Sequence, residues 1–162
     1  MSELIDAIES GDIAEVEQLI SSGGPNLDID GYTALIIASD VGDIDIVKLL
    51  IKSGADPNLT FLEGGENALY YAIFGRHTEV VKLLINAGAD VNLYKADGHG
   101  ITDAGMTVLY NAEQFGETDI VKLLIEANAD VNIRNKRGKG PLDNPMVQKI
   151  YSEYIVSKVK KL

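Results

Sequence analysis

Two imidazoles, His77 and His99, and 25 carboxylates are the side chains of this 162-residue chain best suited to acid–base or metal chemistry. There is no Cys, which removes thiolate nucleophiles, disulfides and cysteine-held zinc. The stretch Asp97-Gly98-His99-Gly100 has some features of a calcium loop. Such a loop needs acidic ligands at its first, third and fifth places and a bidentate Glu at its twelfth, but Lys95 takes the first and Met106 the twelfth. His99 is therefore read as a solvated loop residue. Gly138-Lys139-Gly140 lacks the remainder of a phosphate-binding loop, no Gly-x-Ser-x-Gly elbow occurs, and no Ser has an obvious His partner to activate it. General acid–base work would need two carboxylates desolvated in one cleft, whereas helix surfaces rich in Asp and Glu are ordinarily solvated faces. The expectation is a chain that is not an enzyme, with no catalytic residues, no cofactor and no metal.

What remains is the chemistry of surfaces, and there the charge is informative. The net charge is −11, which repels phosphates and argues against nucleic acid as a partner. Residues 1–133 hold 6 Lys or Arg against 23 Asp or Glu, whereas residues 134–162 hold 8 against 2. An acidic body with a basic end favours a partner of complementary charge. No segment approaches the roughly 20 apolar residues of a membrane span, and MSELIDAIESGD has no basic, then apolar, leader pattern. A cytoplasmic protein that does not engage a membrane is expected.

The elements that position these surfaces are written in a repeat. Three blocks align: Ile46-Val47-Lys48-Leu49-Leu50-Ile51, Val80-Val81-Lys82-Leu83-Leu84-Ile85 and Ile120-Val121-Lys122-Leu123-Leu124-Ile125. Each is followed by a similar turn, Gly54-Ala55-Asp56-Pro57-Asn58, Gly88-Ala89-Asp90-Val91-Asn92 or Asn128-Ala129-Asp130-Val131-Asn132. Upstream lie Thr33-Ala34-Leu35, Asn67-Ala68-Leu69 and Thr107-Val108-Leu109, with Ala38, Ala72 and Ala112 three residues beyond each Leu. A degenerate first copy runs from Ala7 to Gly23, and the steps between the Ala positions are 31, 34 and 40 residues. Thr33, Asn67 and Thr107 can each cap a helix N-terminus. Gly11, Gly42 and Gly116 suit a reversal with φ > 0, and Asp45, Glu79 and Asp119 fall in a following first turn, where the helix dipole favours an anion. Gly54, Gly88 and Asn128 end the second helix in the residue types that tolerate the left-handed conformation.

A Thr-x-Leu-x-x-Ala run, then Val-Lys-Leu-Leu-Ile, then Gly-Ala-Asp-x-Asn resembles the ankyrin repeat, whose usual length is about 33 residues, over roughly residues 4–142. The resemblance implies an all-α solenoid of stacked helix–turn–helix units joined by β-hairpin-like loops. There are departures. The Pro usual after the capping residue is Ala34, Ala68 and Val108. The His usual after the Leu is Ile36, Tyr70 and Tyr110, so the turns are expected to be held more by packing than by that His. Arg76 stands where other copies have Gly, and a slightly altered helix end is expected there. His77 stands where second helices of the family usually begin with His, which makes it structural.

The chain is read as a single domain over 1–162: an N-terminal capping repeat (1–27), repeats at 28–59, 60–93 and 94–133, and a C-terminal cap with a basic helix (134–162). Pro145 prevents a normal first helix in the cap. From Met146 the spacing Val147, Ile150, Tyr151, Tyr154, Ile155, Val159, Leu162 predicts one amphipathic helix that closes the core. The fourth hairpin carries an insertion of about seven residues, and insertions of this kind fall in loops on one face of a repeat array.

The resemblance further implies binding through hairpin tips and the exposed face of the first helices. The candidate partner-binding residues are Tyr32, Asp40, Val41, Glu63, Glu66, Phe74, Met106, Gln114 and Phe115. Phe74 and Phe115 are the proposed centre, aromatic residues beside acids. The function expected is protein–protein interaction, as an adaptor, inhibitor or targeting subunit that works as a monomer and holds a basic segment of another protein. The alternatives are a small-ligand or metal sensor built on the 95–105 insertion, and a self-association scaffold.

Overall fold

The computed structural model describes residues 3–24, 28–29, 32–61, 66–92, 107–135 and 137–161. They fall into two compact units, Met1–Asp90 and Val91–Leu162. The fold is all-α, built of helix–turn–helix pairs, two of which are preceded by hairpins of two-residue strands.

The first unit contains α1 (Glu3–Ser10), α2 (Ile13–Gly23), α3 (Ala34–Val41), α4 (Ile44–Lys52), α5 (Ala68–Phe74) and α6 (Thr78–Asn86). Strands β1 (Asp28–Ile29) and β2 (Tyr32–Thr33) pair antiparallel, as do β3 (Thr60–Phe61) and β4 (Glu66–Asn67). The last residue of each hairpin is also the cap of the next helix. Thr33 Oγ1 accepts from Ile36 N at 3.2 Å, and Asn67 Oδ1 accepts from Tyr70 N at 3.0 Å. One side chain thus stops a strand and starts a helix, which is why Thr or Asn stands there. Helix α3 packs against α1 and α5, and α4 against α2 and α6. The enclosed surface is the repeated one: Leu35, Ile46, Val47, Leu50, Leu69, Ile73, Val81 and Leu84 are fully buried. Each such side chain contributes about 1.5–3 kcal/mol relative to exposure. Ala38 and Ala72 are also fully enclosed, where a larger residue would hold the paired helices apart.

The reversal between paired helices needs a left-handed residue, and Gly11 and Gly42 supply it at φ 72° and 82°. Arg76 takes the same conformation at φ 62°. The expected alteration of the helix end is not seen: α5 stops at Phe74 and Gly75 caps it in right-handed geometry, as Phe115 caps its own helix ahead of left-handed Gly116. Gly75 is required for a different reason. A Cβ there would run into the His77 ring, and so would one at Gly42. The ring lies against both glycines, with Nε2 2.9 Å from the carbonyl oxygen of Asp40. A carbonyl only accepts, so Nε2 carries the proton of that bond. His77 thus joins one reversal to the next.

The second unit holds α7 (Val108–Gln114), α8 (Thr118–Glu126), a 3-10 turn (Pro141–Asp143) and α9 (Pro145–Val159). Thr107 caps α7 by accepting from Tyr110 N at 3.3 Å, and Gly116 and Asn128 are left-handed at φ 72° and 64°. Pro145 opens α9 at its first position, where its missing N–H is no loss, and Asn144 Oδ1 accepts from Met146 N at 2.8 Å. The short 3-10 turn stands in place of a first helix. The amphipathic reading of α9 holds for half its length only. Val147 and Ile150 are buried and Tyr151 and Tyr154 half-buried, but Ile155, Val156 and Val159 are 41%, 52% and 64% exposed. Leu162 lies outside the described residues.

The His77 wedge makes a comparative prediction. Gly42→Ala and Gly54→Ala both force Ala into a left-handed site (φ 82° and 91°), but only the first meets the imidazole; nothing lies within 4 Å of a Cβ at Gly54. Each substitution is expected to cost about 1–2 kcal/mol for the backbone, with Gly42→Ala costing a further 1–3 kcal/mol or so for the overlap. Urea unfolding measures both. In a His77→Ala background the excess should vanish, and an excess that persists there would refute the wedge.

Candidate functional site

Phe74 closes α5 with its ring 51% exposed, the most exposed aromatic side chain among the described residues of the first unit. It is not a loose ring. Tyr70, one helical turn earlier, stacks on it at 6.4 Å between centroids and 13° between planes, and Tyr71 meets Tyr70 edge-on at 5.5 Å. Counting from the small Ala of each copy, Phe74 corresponds to Asp40 on α3 and Gln114 on α7, and both are exposed. Val41, the last residue of α3, is 44% exposed beside Asp40. A Cβ at Gly75 would lie 3.4 Å from the Asp40 carbonyl, so the ends of α3 and α5 are close neighbours. Asp40, Val41 and Phe74 therefore share one edge of the first unit. Glu66 lies half-buried in β4. The side chain of Tyr32, together with Glu63, Met106 and the 95–105 insertion with His99, lies outside the described residues.

In the second unit Gln114 and Phe115 end α7, the former exposed and the latter half-buried. Gln114 borders a groove of about 470 Å³ between α7 and the segment that enters α9, lined also by Tyr110, Glu113, Lys139, Asp143 and Asn144 among others. Glu113 is the feature that the sequence reading missed. It is 9% exposed, and its Oε1 accepts from Asn144 Nδ2 at 2.7 Å and from Gln114 Nε2 at 2.9 Å. The signal was present in the alignment of the copies. Glu113 follows the small Ala directly, a register held by fully buried Ser39 in α3 and by Ile73 at 1% in α5. An acid in a core register is not a solvated face.

Asp143, at the other side of the groove, is differently served. Its Oδ2 accepts from Gly140 N at 2.9 Å and from Arg134 Nη1 at 3.0 Å. The Gly140 N–H, the Arg134 hydrogen bond and charge, and the charge of Lys139 together hold its carboxyl below the ordinary value of 3.8, against a smaller opposing effect of desolvation.

The turns after the second helices are joined by hydrogen bonds as well as by packing. Asn58 Oδ1 accepts from Asp90 N at 2.7 Å while its Nδ2 donates to the Gly88 carbonyl at 3.0 Å. Asn92 Oδ1 accepts from Asp130 N at 2.7 Å. The last residue of the Gly-Ala-Asp-x-Asn run carries these bonds.

Among the described residues no group of three or more His, Asp or Glu is placed to hold a metal ion, and no helix is long and apolar enough to cross a membrane.

A family model described as ankyrin repeats (3 copies) matches residues 4–95 and 61–135. The chain is 42% identical over 60 residues to the mouse (Mus musculus) 2-5A-dependent ribonuclease, covering 35% of this chain and 8% of that protein. It is 39% identical over 61 residues to an ankyrin repeat protein of fowlpox virus (strain NVSL), covering 36% of this chain and 15% of that one. The chain thus spans a small part of the length of these relatives.

The depressed Asp143 carboxyl sets a pH dependence with a definite sign. Its contribution to stability is complete above the unfolded value near 3.8 and is lost as pH falls through the lower native value. The stability difference between wild type and Asp143→Asn, followed as urea midpoints, should be constant at neutral pH and shrink below pH 3.8. A difference that does not change with pH would show that the carboxylate charge is not what Gly140 and Arg134 hold.

Proposed function

Because the chain belongs to the ankyrin-repeat family, whose repeats generally serve protein–protein interaction, we propose that it is a non-catalytic interaction module holding a basic segment of a partner protein. The observation that carries this reading is Phe74. A ring half in water, already stacked on Tyr70, gains from burial without losing further conformational freedom, as the centre of a contact does. Val41 extends the apolar surface, and Asp40 supplies charge beside it. Residues 1–90 hold 4 Lys or Arg against 16 Asp or Glu, a balance of −12, which attracts a cationic segment and repels an acidic one. Gln114 and Phe115 offer the corresponding positions in the second unit. As adaptor, inhibitor or targeting subunit, the chain would act by occupying its partner.

Affinity capture from the native host, with wild type beside a Phe74→Ala/Phe115→Ala variant, tests the proposal. Loss of a hot-spot aromatic costs about 2 kcal/mol or more, a fall of some 30-fold in affinity. Partners of the wild type should be depleted from the variant's eluate, and their binding should weaken as salt is raised. Partners retained equally by both proteins would rule out the aromatic centre, and salt-insensitive binding would rule out the charge match.

One observation favours self-association as a second reading. The end of α9 exposes Ile155, Val156 and Val159 beside Lys158, Lys160 and Lys161, a surface complementary to the acidic first unit of another copy. Sedimentation at low and high salt separates the two. A monomer at both salts supports the first reading, and an oligomer that dissociates at high salt supports the second.

A further inference from the structure

The groove beside α7 contains a carboxylate with no ion-pair partner among the described residues. Glu113 is 91% enclosed by its own fold (9% exposed), yet its two hydrogen bonds both come from neutral amides and both fall on Oε1. The cations at hand serve another acid. Arg134 is hydrogen-bonded to Asp143, and the charge of Lys139 also acts on Asp143. Among the described residues none stands within ion-pair distance of Glu113. Burying a charge without an opposite one is costly, and other copies avoid it by placing Ser39 or Ile73 in this register. The two amides do something more specific than satisfy the carboxylate: they fix its plane. Asn144 is held in turn, since its Oδ1 accepts from Met146 N at 2.8 Å. Gln114 spends its amide nitrogen on Glu113, which leaves its own Oε1 as an acceptor at the groove's edge.

We propose that this groove is a subsite for a single arginine side chain of the partner segment, with Glu113 Oε2 as its anchor and Gln114 Oε1 as a second acceptor. The planar guanidinium presents several N–H donors in a fixed fork and can engage two acceptors at once. It is also weakly hydrated, so entry into a half-enclosed groove of about 470 Å³ costs less than it would for an ammonium. Tyr110, buried in the groove lining, supplies an aromatic wall. This inference rests on the reading of the chain as a binder of basic segments and specifies one contact within it.

The test uses the full chain and acetyl-Gly-Arg-Gly-amide, with the citrulline and lysine counterparts as controls. Side-chain amide resonances of Asn144 and Gln114 are followed by nuclear magnetic resonance as each peptide is added to about 20 mM, a range suited to millimolar affinity. The arginine peptide should give saturable shifts of both amides, and citrulline, equal in shape but uncharged, should give none. Glu113→Gln should weaken arginine binding by about tenfold or more, the loss of one charge-assisted contact. The citrulline comparison needs no variant and stands even if Glu113→Gln fails to fold. Silence with arginine, equal shifts with citrulline, or unchanged affinity in Glu113→Gln would each overturn the subsite, and a lysine peptide that matches arginine would overturn the guanidinium assignment. The outcome is separable from that of the interaction reading. Partner capture that depends on Phe74 alongside a silent titration would sink only the subsite. Arginine binding alongside Phe74-independent capture would sink only the aromatic centre.

Discussion

The structure depends on the close approach of paired helices across a small residue. Ala38, Ala72 and Ala112 are fully enclosed, and Leu, Ile and Val of both helices of each pair are buried with them. No single pair encloses enough apolar surface to fold by itself. Within the first unit α3 is covered by α1 and α5, and α4 by α2 and α6, so each pair completes the burial of its neighbour. The other features follow from this constraint. Reversals between helices must be tight, which calls for left-handed residues. Helix starts must be abrupt, which calls for capping side chains at the ends of the hairpins. Most charged residues of the described helices are displaced to the remaining faces.

How much of this could be read beforehand depended on the range of the interaction. Capping by Thr33, Asn67 and Thr107 was legible because a cap acts over three residues, and its chemistry is the same in any fold. The left-handed sites were legible for the same reason, and Arg76 adopts the conformation that glycine takes in other copies. Bonds between repeats were not legible. The side chain of Asn58 meets residues 30 and 32 positions further on, and no local pattern names that partner. The closing helix was half legible. Its apolar spacing runs the full length, yet only Val147 and Ile150 are buried, because α8, against which it packs, spans just nine residues.

The candidate site divides along the same line. Exposure of Asp40, Val41 and Phe74 at helix ends could be expected from their place in the repeat. Glu113 could not be recognised by residue type, since most acids on this chain are solvated. It stands out only when its register is compared with that of Ser39 and Ile73, and its two amide partners come from the adjacent residue and from the entry to α9. An acid at a position that other copies bury carries more information than one among many on an outer face.

The asparagine bonds between turns share an order. In each observed case the asparagine belongs to the earlier turn and the backbone group it meets to the later one: Asn58 with Gly88 and Asp90, and Asn92 with Asp130. A ribosome releases the chain in the same order, at about 5–20 residues per second. Each newly made turn therefore emerges after the amide that will receive it has been synthesised, and need not wait for chain still to come. Within each unit, then, the side chain that joins two turns is made before the backbone it joins.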